Sequence, residues 1–363
     1  MNFNNSLRRQ PPTRVGCRRY FWPTLWLCLF ALLLGGCGQA EKPAATAKNG
    51  ALKIKPILFN ELNDTEDYNA SGVVPLDDGR FLFCDNHVND ALFELDLTAV
   101  GQQQGALIRH PLQGVNTDAI DDLEGMTLAE ENGKRFIFAA SSLSLKKAIQ
   151  NLGDKPTRVP TDGLLRITVN QDHGLSAENL TGFRAWLVEH APELPELKAA
   201  ATLAPNNDGL NIEGLAWDRQ RHALLFGLRS PVPDGKPLVL AVKVKDLAGA
   251  WTTANLEMLP AIHLTLAEPQ KDEAGIRTLE FIEPLNAFLV VLGKSTDDST
   301  APFSLCVWDG QAAGVLRQLP IAFSKKMKPE GLTAGTVGGK PVLLFVDDGG
   351  GYQSLPLEAL PRG

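Results

Sequence analysis

Three glutamates stand in one recurring context: Glu124 in "DLEGMTL", Glu213 in "NIEGLAW" and Glu330 in "PEGLT", each followed by glycine and each leading into an apolar run. A carboxylate enters apolar surroundings only when something pairs with it, so the repetition calls for partners. Ionic residues also stand at the far end of four of the five apolar runs that follow positions 71, 124, 213, 277 and 330, namely Asp85, Arg229, Lys294 and Asp347, with Ser141 at the remaining one. Carboxylates from several elements facing one axis supply the hard oxygen ligands that calcium prefers. Guanidinium groups beside them receive a phosphate or carboxylate. On this reading Glu124, Glu213, Glu330 and Asp347 hold a divalent cation, most simply Ca2+, while Arg229, Arg277, Asn211 and Asp85 contact a small anionic ligand. A metal-activated water would extend binding to hydrolysis of a phosphoester. The same residues also have an architectural reading, in which glutamates, arginines and lysines neutralise one another and set the angles between repeated units.

The elements that must position these side chains are strands. Long helical patterns are few, and short apolar runs closed by Gly, Asp or Asn are many. Lining up the runs exposes a unit of motif, polar turn, apolar strand and polar tip. Its copies begin at "SGVVPLDDGRFLFCDN" (71), "EGMTLAEENGKRFIFAASS" (124), "EGLAWDRQRHALLFGLRS" (213), "RTLEFIEPLNAFLVVLGKS" (277) and "EGLTAGTVGGKPVLLFVDDG" (330). Each turn carries hairpin chemistry, for example Asp78-Gly79 and Asn132-Gly133. A third apolar run follows four of the copies: "ALFELDL", "GLLRITV", "LVLAVKV" and "FSLCVWD". Such repetition predicts an all-β fold, a five- or six-bladed β-propeller with a short helical insertion. A β-sandwich is the competing architecture. The stretch 183–204 reads either as the insertion, with Phe183, Trp186, Leu187 and Leu194 on one side, or as a degenerate blade. The early run "LKIKPILFNEL" (52–62) is expected to supply the last blade's outer strand. In a propeller the first strand of each blade lines the channel. Ser71, Glu124, Glu213, Arg277 and Glu330 then form one ring, and Asp85, Ser141, Arg229, Lys294 and Asp347 a second. The glycine after the motif lets backbones approach at the narrow axis.

The N-terminus bears on the compartment. Arg8, Arg9, Arg14, Arg18 and Arg19 precede an apolar run at 21–34 that ends in Leu34-Gly35-Gly36-Cys37. The run is too short to span a bilayer and suits a signal peptide, and its end reads as a lipobox with Cys37 as the acylated residue. Gly38 follows, not the aspartate that retains lipoproteins at the inner membrane, so an outer-membrane lipoprotein facing the periplasm is expected, attached to the membrane through its lipid alone. The expected division is a signal peptide at 1–36, a small polar tether at 37–51 and the propeller at 52–363. The formal net charge is −7, more acidic once the arginines of the leader are gone, and no basic cluster suits nucleic acid. Cys84 and Cys306 each sit inside an apolar strand and read as buried thiols rather than a disulfide. No G-x-S-x-G, H-E-x-x-H, P-loop or C-x-x-C motif occurs, and the six histidines are scattered.

The segments "DLEG", "NIEGLAW", "GLRSP", "GIRTLEF", "KPEGL" and "VDDGG", in this order, resemble a bacterial domain-of-unknown-function family of exported propeller proteins, a distant relative of the esterase-like phytase group. The likeness spans roughly 60–350. It implies a propeller and marks Asp122, Glu124, Asn211, Glu213, Arg229, Arg277, Glu330, Asp347 and Asp348. Two positions depart from the family pattern. "AASS" (139–142) lacks an expected histidine, and Thr278 stands where an aspartate is typical, which puts any inherited activity in doubt. The sequence as a whole thus leads to a lipid-anchored propeller that binds, and as a metal-dependent phosphoesterase-like enzyme would hydrolyse, a small anionic ligand. The alternative is a non-catalytic scaffold that docks another envelope protein.

Overall fold

Valine, leucine, isoleucine and phenylalanine recur through 70–356 in runs of strand length separated by Gly, Asn and Asp, and these runs fold as strands joined by tight turns. The computed structural model describes residues 51–361 apart from 61–67, 118–119, 149–156, 171–173, 192, 269–271 and 313. The expected leader 1–36, Cys37 and the tether up to residue 50 lie outside the described residues.

The strands assemble into four-stranded antiparallel units, each begun by an inner strand that carries the motif. Unit one comprises Ala70–Asp77, Arg80–Asp85, Val88–Asp96 and Ile108–Gln113. Unit two comprises Leu123–Glu131, Lys134–Ser141, Leu164–Val169 and Leu175–Asn179. Its outer strand runs parallel to that of unit one at Leu175↔Leu112, which joins the two into one sheet. Unit three holds Asn211–Asp218, Ala223–Ser230, Leu238–Val244 and Leu256–Met258. Unit four holds Ala274–Ile282, Ala287–Lys294, Ser304–Trp308 and Val315–Gln318. Unit five has Pro329–Val337, Lys340–Asp347 and Gly351–Pro356, and its outer strand is Ile57–Leu58 from the start of the chain, paired antiparallel at Ile57↔Tyr352.

The hydrophobic cores lie between units. One cluster joins units one and two through Leu82, Leu92, Met126 and Ile137. Phe138, Trp217 and Phe226 join units two and three, and Val239, Ile276 and Trp308 join three and four. Leu289, Val291 and Phe345 join four and five, and Phe83, Phe93 and Tyr352 join five back to one. Every unit is therefore sandwiched between two others, the packing of a β-propeller. Gly50–Gly363 form one compact unit containing all of these cores and the strand that ties its two ends together.

The stretch after unit two is helical and is not a further sheet. Helices Phe183–Glu189 and Pro195–Ala200 bury Phe183, Leu187 and Leu197 against Phe226 and Leu228. Cys84 and Cys306 are buried free thiols, as their strand settings predicted.

Candidate functional site

The motif residues owe their direction to a local irregularity in the inner strand. Opposite Ser141 and Ala140 stand Leu123 and Gly125, so Glu124 is an extra residue in the ladder, a β-bulge. Glu213 is extra between Ile212 and Gly214, Arg277 between Ile276 and Thr278, and Glu330 between Pro329 and Gly331. In unit one the register shifts between Ala70 and Val73, the span that holds Ser71. A bulge breaks the in-out alternation and re-aims one side chain. Here it releases the motif residue from the interfaces between units and lets these side chains meet across unit boundaries.

The following glycine answers to crowding at the same place. A Cβ on Gly72 would lie 2.2 Å from the backbone nitrogen of Met126 in unit two, and one on Gly125 2.7 Å from the Leu215 Cβ in unit three. One on Gly331 would lie 2.3 Å from the carbonyl oxygen of Ser71. Neighbouring inner strands approach too closely there for any side chain.

The bulged side chains link across units. Glu213 Oε1 accepts from Arg229 Nη1 at 3.0 Å, and its Oε2 lies 2.7 Å from Arg277 Nε. Arg277 Nη2 also donates to Glu330 Oε1, so one buried guanidinium serves carboxylates of two units. Burial works against the Arg277 charge, yet Glu213, Glu330 and Glu124 together push its pKa upward. Glu124 follows another pattern. Its Oε2 accepts from Ser71 Oγ at 2.8 Å and its Oε1 from Asn86 Nδ2 at 3.5 Å, and it joins no ion pair among the described residues. Burial, then repulsion from Asp122, Glu213 and Glu330, holds its carboxyl well above the usual range. Glu330 is raised to about 7, chiefly by burial, with Arg277 opposing and Glu213 reinforcing the rise.

The remaining expected residues serve backbone as well as site. Both oxygens of Asp85 accept backbone N–H groups, from Asn69 and from His87, each at 2.8 Å. Asp347, its counterpart in unit five, accepts from the N–H of Lys328 at 3.1 Å and of Gly349 at 2.8 Å through Oδ1, while its Oδ2 has no hydrogen-bond partner. Asn211 donates to Glu213 Oε1 at 3.5 Å, and its Oδ1 is likewise unpartnered, as is Asn86 Oδ1. Arg229 also donates to the carbonyl of Ser295 at 3.2 Å.

Of the acids expected to hold a cation, Glu124, Glu213 and Glu330 are close enough to act on one another's charge. Glu213 and Glu330 are held by Arg277, and Asp85 by a turn. Among the described residues no group of three or more His, Cys, Asp or Glu side chains is arranged to hold a metal ion. The oxygens there without a hydrogen bond are Asp347 Oδ2, Asn86 Oδ1 and Asn211 Oδ1, with Glu213 Oε2 reached only by its ion pair to Arg277.

Lys146 and Ser142 escaped the sequence reading. Lys146 Nζ lies 2.7 Å from Asp122 Oδ1, and Ser142 Oγ donates to the other oxygen of Asp122. The signal for Ser142 lay in "AASS" itself, whose last hydroxyl meets Asp122. Glu280 is a further buried acid, accepting from Thr127 Oγ1 at 3.0 Å and pushed well above the usual range by burial. Its position on the inner strand of unit four, beyond the bulge, gave no signal in the repeat.

No family model matches the sequence, and no curated protein matches it. Among solved structures the chain is similar to an α-L-arabinofuranosidase from Lactobacillus brevis, at 11% identity over 80% of this chain and 90% of that one, with a TM-score of 0.40. An inulosucrase from Halalkalicoccus jeotgali bound to kestose gives 10% identity over 86% and 84% of the two chains and a TM-score of 0.42. A GH43 β-xylosidase/α-arabinofuranosidase from a compost microbial metagenome gives 10% over 83% and 94%, at 0.41. None of the three reaches a TM-score of 0.5, so the architecture rests on this chain's own strand pairing and cores.

Proposed function

We propose that this chain is an exported, lipid-anchored propeller of five blades that binds a small anionic ligand, together with a divalent cation, at the mouth of its axial funnel. The five units are the blades, and Ile57–Leu58 closes the ring. The observation that carries the reading is the surplus of acceptor oxygens. The buried Glu124 carboxyl stands without an ion pair among the described residues, and Asn86 Oδ1, Asn211 Oδ1 and Asp347 Oδ2 carry no hydrogen bond. Buried polar oxygens are normally satisfied, and carboxylate and amide oxygens of this kind suit calcium. Burial, then the neighbouring acids Asp122, Glu213 and Glu330, favour a proton on Glu124, which a bound cation would displace. Arg229, which keeps part of its side chain exposed, is the receptor for the anion, with Lys146 and Lys328 on the rim.

The family resemblance to exported propeller proteins, carried by "NIEGLAW" and "GLRSP", fits this reading. A non-catalytic envelope scaffold is the second reading, favoured by one specific contact: Glu213 lies between Arg229 and Arg277 and so braces units three and four against each other.

Thermal unfolding of residues 38–363 in EDTA, then with millimolar calcium, then with added phosphate, separates the two. Ligand that binds only the folded state stabilises by about 2.7 kcal/mol at a hundred times its dissociation constant. The expected outcome is a calcium-dependent rise that Glu124→Gln abolishes and a further rise with phosphate that Arg229→Gln abolishes. A Glu213→Gln variant that loses stability, in a protein whose midpoint neither calcium nor phosphate moves, would establish the scaffold instead.

A further inference from the structure

The turns that join inner to second strands lie at the end of the barrel of strands away from the glutamates, and there units four and five part around a cavity of about 960 Å³. Leu285 of unit four and Val337 of unit five mark the hairpin ends that open onto it, and Leu319, Val342 and Leu360 supply more of its hydrocarbon wall. Small-molecule sites run to about 300–1,000 Å³, with mostly apolar walls and a few polar groups that orient the ligand. The charged groups here are Arg317, Lys340 and Glu358. All three are exposed, and none joins an ion pair among the described residues, so Glu358 cancels neither cation.

Two unpaired cations at the edge of a hydrocarbon-lined space call for a ligand with a hydrocarbon body and an anionic head. Apolar area leaving water drives the body in, and the guanidinium and ammonium take the head. We propose that this cavity binds a single acyl chain bearing a carboxylate or phosphate. The path of the chain supports the choice. Leu52 N–H donates to the carbonyl of Pro320 at 3.0 Å, and the adjacent Leu319 lines the cavity. The first described strand, Leu52–Ile54, therefore begins close to this opening, and a lipid anchor of the kind proposed above would make acyl chains available to the protein. The cavity shares no residue with the funnel, so the two sites succeed or fail separately.

The test uses residues 38–363, which include the whole compact unit. Laurate, kept below its micelle-forming concentration, displaces a bound anilinonaphthalene sulfonate dye, and dodecyltrimethylammonium, with an equal chain and opposite head charge, serves as the comparison. Saturable laurate binding at one per chain is expected, weakened at least tenfold by the surface pair Arg317→Glu and Lys340→Glu with an unchanged unfolding midpoint. Dodecyltrimethylammonium is expected not to compete. Ser354→Trp, which narrows the cavity from its wall, is expected to weaken laurate as well. Sedimentation with phosphatidylglycerol vesicles identifies the source of the chain: charge-dependent capture points to bilayer lipid, and laurate binding without capture points to a free fatty acid. The proposal is overturned if the folded protein binds no laurate saturably, if both head charges bind alike, or if neither the charge reversal nor Ser354→Trp changes affinity.

Discussion

Arg277 is one cation placed between two carboxylates of different units, and Glu124 is a carboxyl with hydrogen-bond donors only. This imbalance has a pH signature. Glu330 rises from an ordinary value of 4.5 to about 7, and Glu124 is displaced in the same direction. The folded state therefore holds protons that the unfolded chain has already released. Their stabilising contribution is complete below about pH 4.5 and is lost as pH climbs through about 7, a swing on the order of 3 kcal/mol for Glu330 alone. The unfolding midpoint in EDTA should accordingly be higher at pH 5.5 than at pH 7.5, and Glu330→Gln should flatten the difference. A midpoint that instead rises between those two values would mean that the carboxyls are ionised in the folded ring. The recurring E-G spelling made Glu124, Glu213 and Glu330 visible as a set. Their partners were not visible, because a guanidinium reaches across a unit boundary and nothing local records which carboxylate it meets.

At the scale of the strand, the bulge and the glycine after it act together. The bulge turns one side chain away from the interfaces between units, and the glycine admits the neighbouring backbone. The glycines are not equally tight. A Cβ on Gly214 would lie 3.0 Å from the Ile276 Cγ2, the end of a side chain, whereas one on Gly72 would lie 2.2 Å from the Met126 backbone nitrogen. Side chains yield more cheaply than backbone, so Gly214→Ala should cost about 1 kcal/mol and Gly72→Ala about 3 kcal/mol or more, the span known for overpacked cores. Urea midpoints of the two variants decide the matter, and equal losses would contradict the close approach of units one and two. Strand positions were readable from periodicity, and the inner strands begin at or within three residues of the motif residues at 71, 124, 213, 277 and 330. The bulges were not readable, since one extra residue in a ladder shows only when the partner strand is counted. The 183–204 stretch stayed open between helix and strand because its apolar residues fit either, and packing on Phe226 and Leu228 made it helical.

For the whole molecule, closure is the feature on which stability turns. Phe59 stacks on Phe83 at 5.2 Å and on Tyr352 at 5.8 Å, so the first described segment fastens unit five to unit one. Deleting residues 51–60 should leave unit five without its outer strand and expose that core. Loss of a single cooperative unfolding transition, with hydrogen exchange fastest in Gly351–Pro356, is the expected result. Retention of one sharp transition at the original midpoint would show that the ring does not depend on the closing strand. The sequence by itself determined the mostly-β class, the repeat and its inner-strand motifs, the helical or degenerate character of the insertion as a choice of two, and the identity of the acids near the axis. Those features follow from local patterning, which each segment carries within itself. Which acids are spent on Arg277, which oxygens remain, and the cavity between units four and five were decided only by the tertiary structure, because each depends on residues far apart in the chain brought together when the ring closes.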